Sequence, residues 1–132
     1  MAEFSLVHVG INAENEAQAL EAAELFSTLF GFPVKNGNSS VFAGAGVEVM
    51  KAPYKGTHGH IAIGTPNVAQ AQAELEARGF TFDPATAKYL ADGTLNAIYL
   101  TQEICGFAVH LVGKKCAAHH TISTANQEGL VL

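Results

Sequence analysis

Four polar residues sit in strand-like runs whose neighbours are mostly apolar or small. His8 shares a strand face with Leu6 and Gly10, Glu48 with Gly46 and Met50, His60 with His58, Ala62 and Gly64, and His110 with Ala108 and Val112. The opposite faces are bulky: Val7, Val9 and Ile11; Val47 and Val49; Ile61 and Ile63; Phe107, Val109 and Leu111. Alternation with a period of two marks β-strands. The bulky faces are expected to carry helices, and the small-residue faces to line a cavity. A carboxylate buried inside a strand without a partner costs several kcal/mol, so Glu48 needs a cation or a proton. Three imidazoles on equivalent faces are natural co-ligands of one shared divalent ion. A set of three nitrogens and one oxygen suits Zn, Ni, Co, Fe or Mn.

The elements that must position these residues occur twice. The first strand is followed by Asn12 as a helix cap and by a helical stripe over 14–30: Ala19, Leu20, Ala23, Phe26, Leu29 and Phe30. Gly31 and Pro33 end that helix. Strands are expected near 33–36, 39–43 and 46–51, with turns at Asn36-Gly37-Asn38 and Gly44-Ala45-Gly46. The order then repeats. A strand around His60 precedes a helix capped by Asn67 and running to about Arg78, then strands near 80–82 with 86–90, 95–101 and 107–113. Short segments match in order between the copies: His8-Val-Gly-Ile with His60-Ile-Ala-Ile, Gly31-Phe32-Pro-Val34 with Gly79-Phe80-Thr-Phe82, and Val47-Glu48-Val49 with Val109-His110-Leu111. The pattern is β-α-β-β-β, twice. His58 is expected to sit just before its strand. Residues 116–132, with His119 and His120, read as a tail outside the site.

Paired βαβββ units with a metal ligand on the first and last strand of each resemble the vicinal oxygen chelate superfamily. Its members include glyoxalase I, methylmalonyl-CoA epimerase, extradiol dioxygenases and the fosfomycin and bleomycin resistance proteins. The resemblance covers about residues 4–113. Its best local match is Tyr54-Lys-Gly-Thr-His-Gly-His60-Ile-Ala-Ile-Gly, similar to the glyoxalase I segment that carries the third ligand. Leu6-Val-His8-Val-Gly-Ile, Gly46-Val-Glu48-Val and Gly106-Phe-Ala-Val-His110-Leu are similar to the other ligand strands. The resemblance implies an α+β fold, with two modules (about 4–52 and 57–113) making a curved, half-barrel-type mixed sheet around a metal cavity. It places that glyoxalase-like domain at 1–115 and implies His8, Glu48, His60 and His110 as metal ligands. The chain departs from the pattern at His110. Glyoxalase I, the epimerase and the dioxygenases have a glutamate there, which in glyoxalase I is both ligand and base, so the histidine argues against glyoxalase I activity itself. Asn38-Ser-Ser-Val-Phe-Ala-Gly44, Met50-Lys-Ala-Pro-Tyr54 and Thr86-Ala-Lys-Tyr89 also resemble a glyoxalase-like segment found attached to ketodeoxyphosphogluconate aldolases.

One carboxylate and three neutral imidazoles leave a divalent site at formal +1, which favours a chelating anion. The expected function is a metal-dependent enzyme of lyase or isomerase type. Its substrate would be a small molecule with two vicinal oxygens, such as a keto or hydroxy acid, and a developing enolate would be stabilised by a Lewis acid. Glu48 or His110 would carry the proton. Tyr54, Lys55, Lys88, Tyr89 and Tyr99 are candidates for orienting the substrate. The rival reading is a non-catalytic binding module, either drug-sequestering or a regulatory domain of an aldolase. Composition narrows the setting. The 132 residues carry 7 Lys and Arg against 12 Asp and Glu, a net charge of −5, which argues against nucleic acid or an anionic membrane as partner. No apolar run approaches a membrane span, and no secretory leader is evident at Met1-Ala2-Glu3-Phe4. Two cysteines, Cys105 and Cys116, make no disulfide framework, so a cytoplasmic protein with reduced thiols is expected. Open sheet edges and 48% apolar content point to a homodimer.

Overall fold

The computed structural model describes residues 1–114. Two copies of one unit follow each other. The first comprises β1 (Ser5–Asn12), α1 (Glu16–Phe30), β2 (Val34–Asn36), β3 (Ser40–Ala43) and β4 (Val47–Met50). The second comprises β5 (Gly59–Thr65), α2 (Val68–Ala77), β6 (Phe82–Tyr89), β7 (Leu95–Ile104) and β8 (Phe107–Gly113). All eight strands form one curved sheet in the order β2-β3-β4-β1-β5-β8-β7-β6. Within each unit the first and last strands pair in parallel, β1 with β4 and β5 with β8. The units join where β1 and β5 pair antiparallel, within the one chain. The order is palindromic about that seam, so β1 corresponds to β5 and β4 to β8. Among the described residues no helix is long and apolar enough to cross a membrane.

The helices lie on one face of the sheet only. α1 packs through Ala19, Leu20, Ala23 and Phe26 onto Val41, Ala43, Val47 and Val49. α2 packs through Val68, Ala71 and Leu75 onto Phe82, Ile98, Leu111 and Ile63. Small residues at the helix contacts let each helix approach its strands closely. The bulky face of β1 is not covered as the alternation suggested, and Ile11 remains 36% exposed. The reason is topological. Each helix must carry the chain from the central seam to the sheet's outer edge, so α1 lies over β2–β4 and α2 over β7 and β8. The last turn of α1 overruns its sheet for the same reason. Leu29 and Phe30 of the apolar stripe are exposed, and Phe30 stacks on Phe26 and Phe32 instead.

Two further details depart from the sequence reading. The cap of α1 is Asn15, whose side chain accepts the Gln18 amide at 2.8 Å. Asn12 instead clamps the connection between the units. Its Nδ2 donates to the Gly56 carbonyl at 3.1 Å, and its Oδ1 accepts the Tyr54 amide at 3.1 Å. Leu6 does not continue the row of His8 either. The register slips between Leu6 and His8, so that Leu6 faces Ile63 and His8 faces Ala62. The expected pieces at 80–82 and 86–90 are one irregular edge strand, interrupted between Asp83 and Lys88 near Pro84. The tail 116–132, with Cys116, His119 and His120, lies outside the described residues.

The seam has no slack at Gly59. A Cβ there would stand 1.9 Å from the Gly10 carbonyl oxygen, backbone against backbone. Gly59→Ala is therefore expected to push β5 off β1 and to lower stability by about 3 kcal/mol or more, read as a drop in the urea midpoint. A midpoint equal to wild type would refute this account of the seam.

Candidate metal centre

The face opposite the helices carries the polar residues, and strand register explains how they meet. Gly10 on β1 pairs with Glu48 on β4 and with His60 on β5, so these three lie in one cross-strand row. In the next row Ala62 on β5 pairs with His8 on β1 and with His110 on β8. Each row has a small residue in its middle, and the pseudo-two-fold axis exchanges the rows. Long side chains from both rows lean inward over the small ones. At Gly10 this is obligatory, because a Cβ would lie 2.0 Å from His60 Cε1.

Three atoms form a near-equilateral triangle. His8 Nε2 lies 3.2 Å from His60 Nε2, and Glu48 Oε1 lies 3.1 Å from each nitrogen. His110 stands one step away, and one ring nitrogen from each of the three histidines lies within 4.8 Å of the other two. Its Nδ1 faces the Leu111 carbonyl at 3.2 Å, which leaves Nε2 for the cluster. Glu48 therefore meets His8 and His60 directly, and His110 joins through the imidazoles.

Hydrogen bonds alone cannot satisfy that triangle, since each Nε2 carries either a proton or a lone pair. With both nitrogens protonated, each donates to Glu48 Oε1, and the edge between the two nitrogens holds no hydrogen bond. With one protonated, the other lone pair faces the carboxylate. A divalent cation would meet all three lone pairs at once. Donors about 2.0–2.2 Å from an ion in tetrahedral or octahedral array stand about 2.8–3.6 Å apart, which brackets the observed edges. The side chains present thus fit a divalent ion.

The electrostatics agree. Burial alone would raise the Glu48 pKa, but hydrogen bonds from His60, His8 and Ser40 outweigh it and hold the carboxyl well below its ordinary range. Burial pushes the His110 imidazole down to about 4, so it is neutral near pH 7 and keeps a lone pair. His60 is 3% exposed, and its Nδ1 is buried without a hydrogen-bond partner. Packing on Gly10, rather than a hydrogen bond outside the cluster, orients its ring.

Of the substrate-orienting candidates, Tyr99 stacks on His110 with ring centroids 4.6 Å apart. Burial, then the nearby Tyr54 and Glu48, raise the Tyr99 pKa, so its phenol stays protonated. Lys55 Nζ lies 5.7 Å from the Tyr99 ring, and Tyr54 packs edge-on against His60. Beside them is a cavity of about 210 Å³, lined by Lys55, Asp83, Thr86, Tyr99, Glu103 and Ala108 among others. Lys88 and Tyr89 are exposed on the edge strand and have no recorded contact with the cluster. His58 is exposed and packs on Gly106 and Phe107, outside the cluster.

Two contributors escaped the sequence reading. Ser40, read there only as part of the strand near 39–43, donates its hydroxyl to Glu48 Oε2 at 2.7 Å. Phe42 meets the His8 ring edge-on at 5.7 Å. Their signal was the hairpin itself, because pairing of 39–43 with 46–51 puts residues 40 and 42 on the face of Glu48.

No protein-family model and no curated protein matches the chain. Solved structures do. A methylmalonyl-CoA epimerase in complex with methylmalonyl-CoA and ammonium has a TM-score of 0.55 at 21% identity, over 82% of this chain and 94% of its own. Methylmalonyl-CoA epimerase from Mycobacterium tuberculosis has a TM-score of 0.56 at 16% identity, over 81% and 85%. A hypothetical protein from Bacillus halodurans C-125 has a TM-score of 0.60 at 16% identity, over 88% and 98%. The chain shares its fold with these epimerases.

Two outcomes are expected. Gly10→Ala should displace the His60 ring while the sheet persists, weakening divalent-ion affinity about 10–100-fold. Titration calorimetry beside circular dichroism reads this, and an unchanged affinity would refute it. The second concerns acid stability. The folded pKa of Glu48 is depressed, so its contribution is present above the unfolded value of 4.5 and fades as pH falls through the acid range. In metal-free protein, Glu48→Gln should melt below wild type near about pH 6, with the gap closing below about pH 4. A gap independent of pH would show that the carboxylate's charge is not what matters.

Proposed function

We propose that residues 1–115 form a metal-dependent enzyme of lyase or isomerase type, acting on a small keto or hydroxy acid. In this reading His8, Glu48, His60 and His110 hold a divalent ion, which is Zn, Ni, Co, Fe or Mn. The observation that carries it is the triangle of two imidazole nitrogens and one carboxylate oxygen with edges of 3.1–3.2 Å, whose three edges no single distribution of protons can fill with hydrogen bonds at once. The formal charge of +1 on such a site favours a substrate that binds through an anionic pair of oxygens. The epimerase neighbours have the same fold, and one of them is bound to methylmalonyl-CoA; this chain's own residues favour a small chelating acid.

A bound divalent ion would supply Lewis acidity to a substrate oxygen beside the reacting carbon. The rest falls to side chains. Glu48 is engaged on both oxygens, by Ser40 on one and by His8 and His60 on the other, which suits a fixed ligand. His110 is held only through Nδ1 to the Leu111 carbonyl, so of the two it is the better placed to leave the ion and take a proton from carbon through Nε2. Protonation of the resulting enolate on the opposite face, or at the neighbouring carbon, isomerises the substrate, and departure of a neighbouring group completes an elimination instead. Tyr99, protonated and stacked on His110, and Lys55 above it are placed to donate hydrogen bonds to the substrate's polar groups. The open edges β2 and β6 favour a homodimer, and the exposed thiol of Cys105 suits a reducing cytoplasm.

The test combines metal content with carbon-acid exchange. Chelator-stripped protein should take up one divalent ion per chain. It should then wash solvent deuterium into the carbon next to the carbonyl of at least one acid in a panel of small 2-oxo and 2-hydroxy acids, followed by proton NMR. His110→Ala should cut exchange about 100-fold or more while metal uptake persists. If a panel acid binds but never exchanges, the chain is a non-catalytic binding module.

A further inference from the structure

We propose that Ser40 is a positioning residue of the metal centre, holding Oε2 of Glu48 so that the carboxylate meets the ion through Oε1 alone. This rests on the metal reading above. The two oxygens of Glu48 are divided between opposite sides. Oε1 faces β1 and β5, at 3.1 Å from both His8 and His60. Oε2 faces β3, where the Ser40 hydroxyl donates at 2.7 Å. That length is typical of a charge-assisted O–H···O⁻ bond, among the stronger kinds in proteins.

The hairpin makes the arrangement rigid. Ser40 pairs with Met50, and Phe42 with Glu48, so Ser40 and Glu48 are diagonal neighbours on one face. Ser40 is 6% exposed, and its carbonyl accepts the Gly37 amide at 2.8 Å, which ties the residue to the turn before β3. Lys51 closes the same turn through its amide to Ser39 and its ammonium to Gly37. The hydroxyl is thereby carried on a braced backbone.

The division of oxygens bears on the chemistry. A substrate that chelates through two oxygens needs two positions on the ion. A carboxylate free to bind through both of its own oxygens competes for one of them. With Oε2 committed to Ser40, Glu48 neutralises charge and takes up a single position. The same bond keeps Glu48 from swinging out to carry a proton, which leaves that task to His110.

The experiment uses the full chain loaded with Co(II), with oxalate as a two-oxygen probe. Ser40→Ala should weaken Co(II) affinity about 10–100-fold. At saturating Co(II) it should alter the visible absorption envelope and reduce the spectral change that oxalate produces. Ser40→Thr, which keeps the hydroxyl, should restore all three. A merely structural role would lower the melting temperature and leave the saturated spectrum as in wild type. If Ser40→Ala loses the fold, Ser40→Cys keeps the volume with a weaker donor, and the same comparison decides. Wild-type affinity and spectrum in the variant would overturn this inference alone. Failure of the wild type to take up Co(II) would overturn the metal reading and this inference with it.

Discussion

One constraint organises this molecule: a carboxylate placed inside a β-sheet, on a face where neighbouring strands crowd it. Glu48 has a side-chain exposure of 15%, too little for water to stabilise its charge fully. It stays ionised because three donors converge on it from three strands: Ser40 on β3, His8 on β1 and His60 on β5. That convergence sets demands on the backbone. β4 must lie against β1, β1 against β5, and the residue between Glu48 and His60 must have no side chain. Gly10 meets the last demand, and the parallel β1–β4 and antiparallel β1–β5 pairings meet the others. The same convergence brings the ring nitrogens together beside the carboxylate, and it is on this arrangement that the proposed cation site rests.

The duplicated unit supplies this economically. A single βαβββ unit places one polar residue on its first strand and one on its last, adjacent because those strands pair in parallel. Two such pairs meet only if the first strands of both units lie side by side, and the β1–β5 seam achieves this. The helices are excluded from the seam by the same topology, since each must cross from the centre to its own edge. One face is therefore apolar and covered at its flanks, and the other is open at its centre, where the histidines stand. The uncovered Ile11 is a by-product of this division, not a failure of packing.

How much of this the sequence disclosed follows from the range over which each signal acts. His8, Glu48, His60 and His110 were legible because strand alternation is local, and because a polar residue among small ones violates the usual pattern. The repeat was legible because three short matches fall in the same order. Asn12 and Asn15 were not separable by type, since both are good caps; only the path of β1 decides that Asn12 still belongs to the strand and clamps the later loop. The slip at Leu6 is a property of two strands together and leaves no mark in one of them. Leu29 and Phe30 carry the right period, yet the sheet beneath them ends, and periodicity does not report where a partner surface stops. Ser40 was hidden because a serine beside a turn is commonplace, and its role emerges only when hairpin register sets it diagonal to Glu48.

The pseudo-symmetry is broken at one pair of positions, and the break has chemical content. His8 and His60 are equivalent and identical in type. Glu48 and His110 are equivalent and differ. On the Glu48 side the sheet continues into a hairpin that supplies a hydroxyl, and the residue is pinned. On the His110 side it continues into β7, which supplies the Tyr99 ring stacked at 4.6 Å and the polar cavity beyond it. His110 keeps one hydrogen bond, from Nδ1 to the Leu111 carbonyl, besides that stacked ring, against three polar contacts at the Glu48 carboxylate. The Glu48 end of the centre is thus the more firmly held of the two. A symmetric pair of glutamates would have given the cluster two similar ends. The exchange of one for histidine makes the two ends chemically unlike, and the cavity lies on the side of Tyr99 and His110.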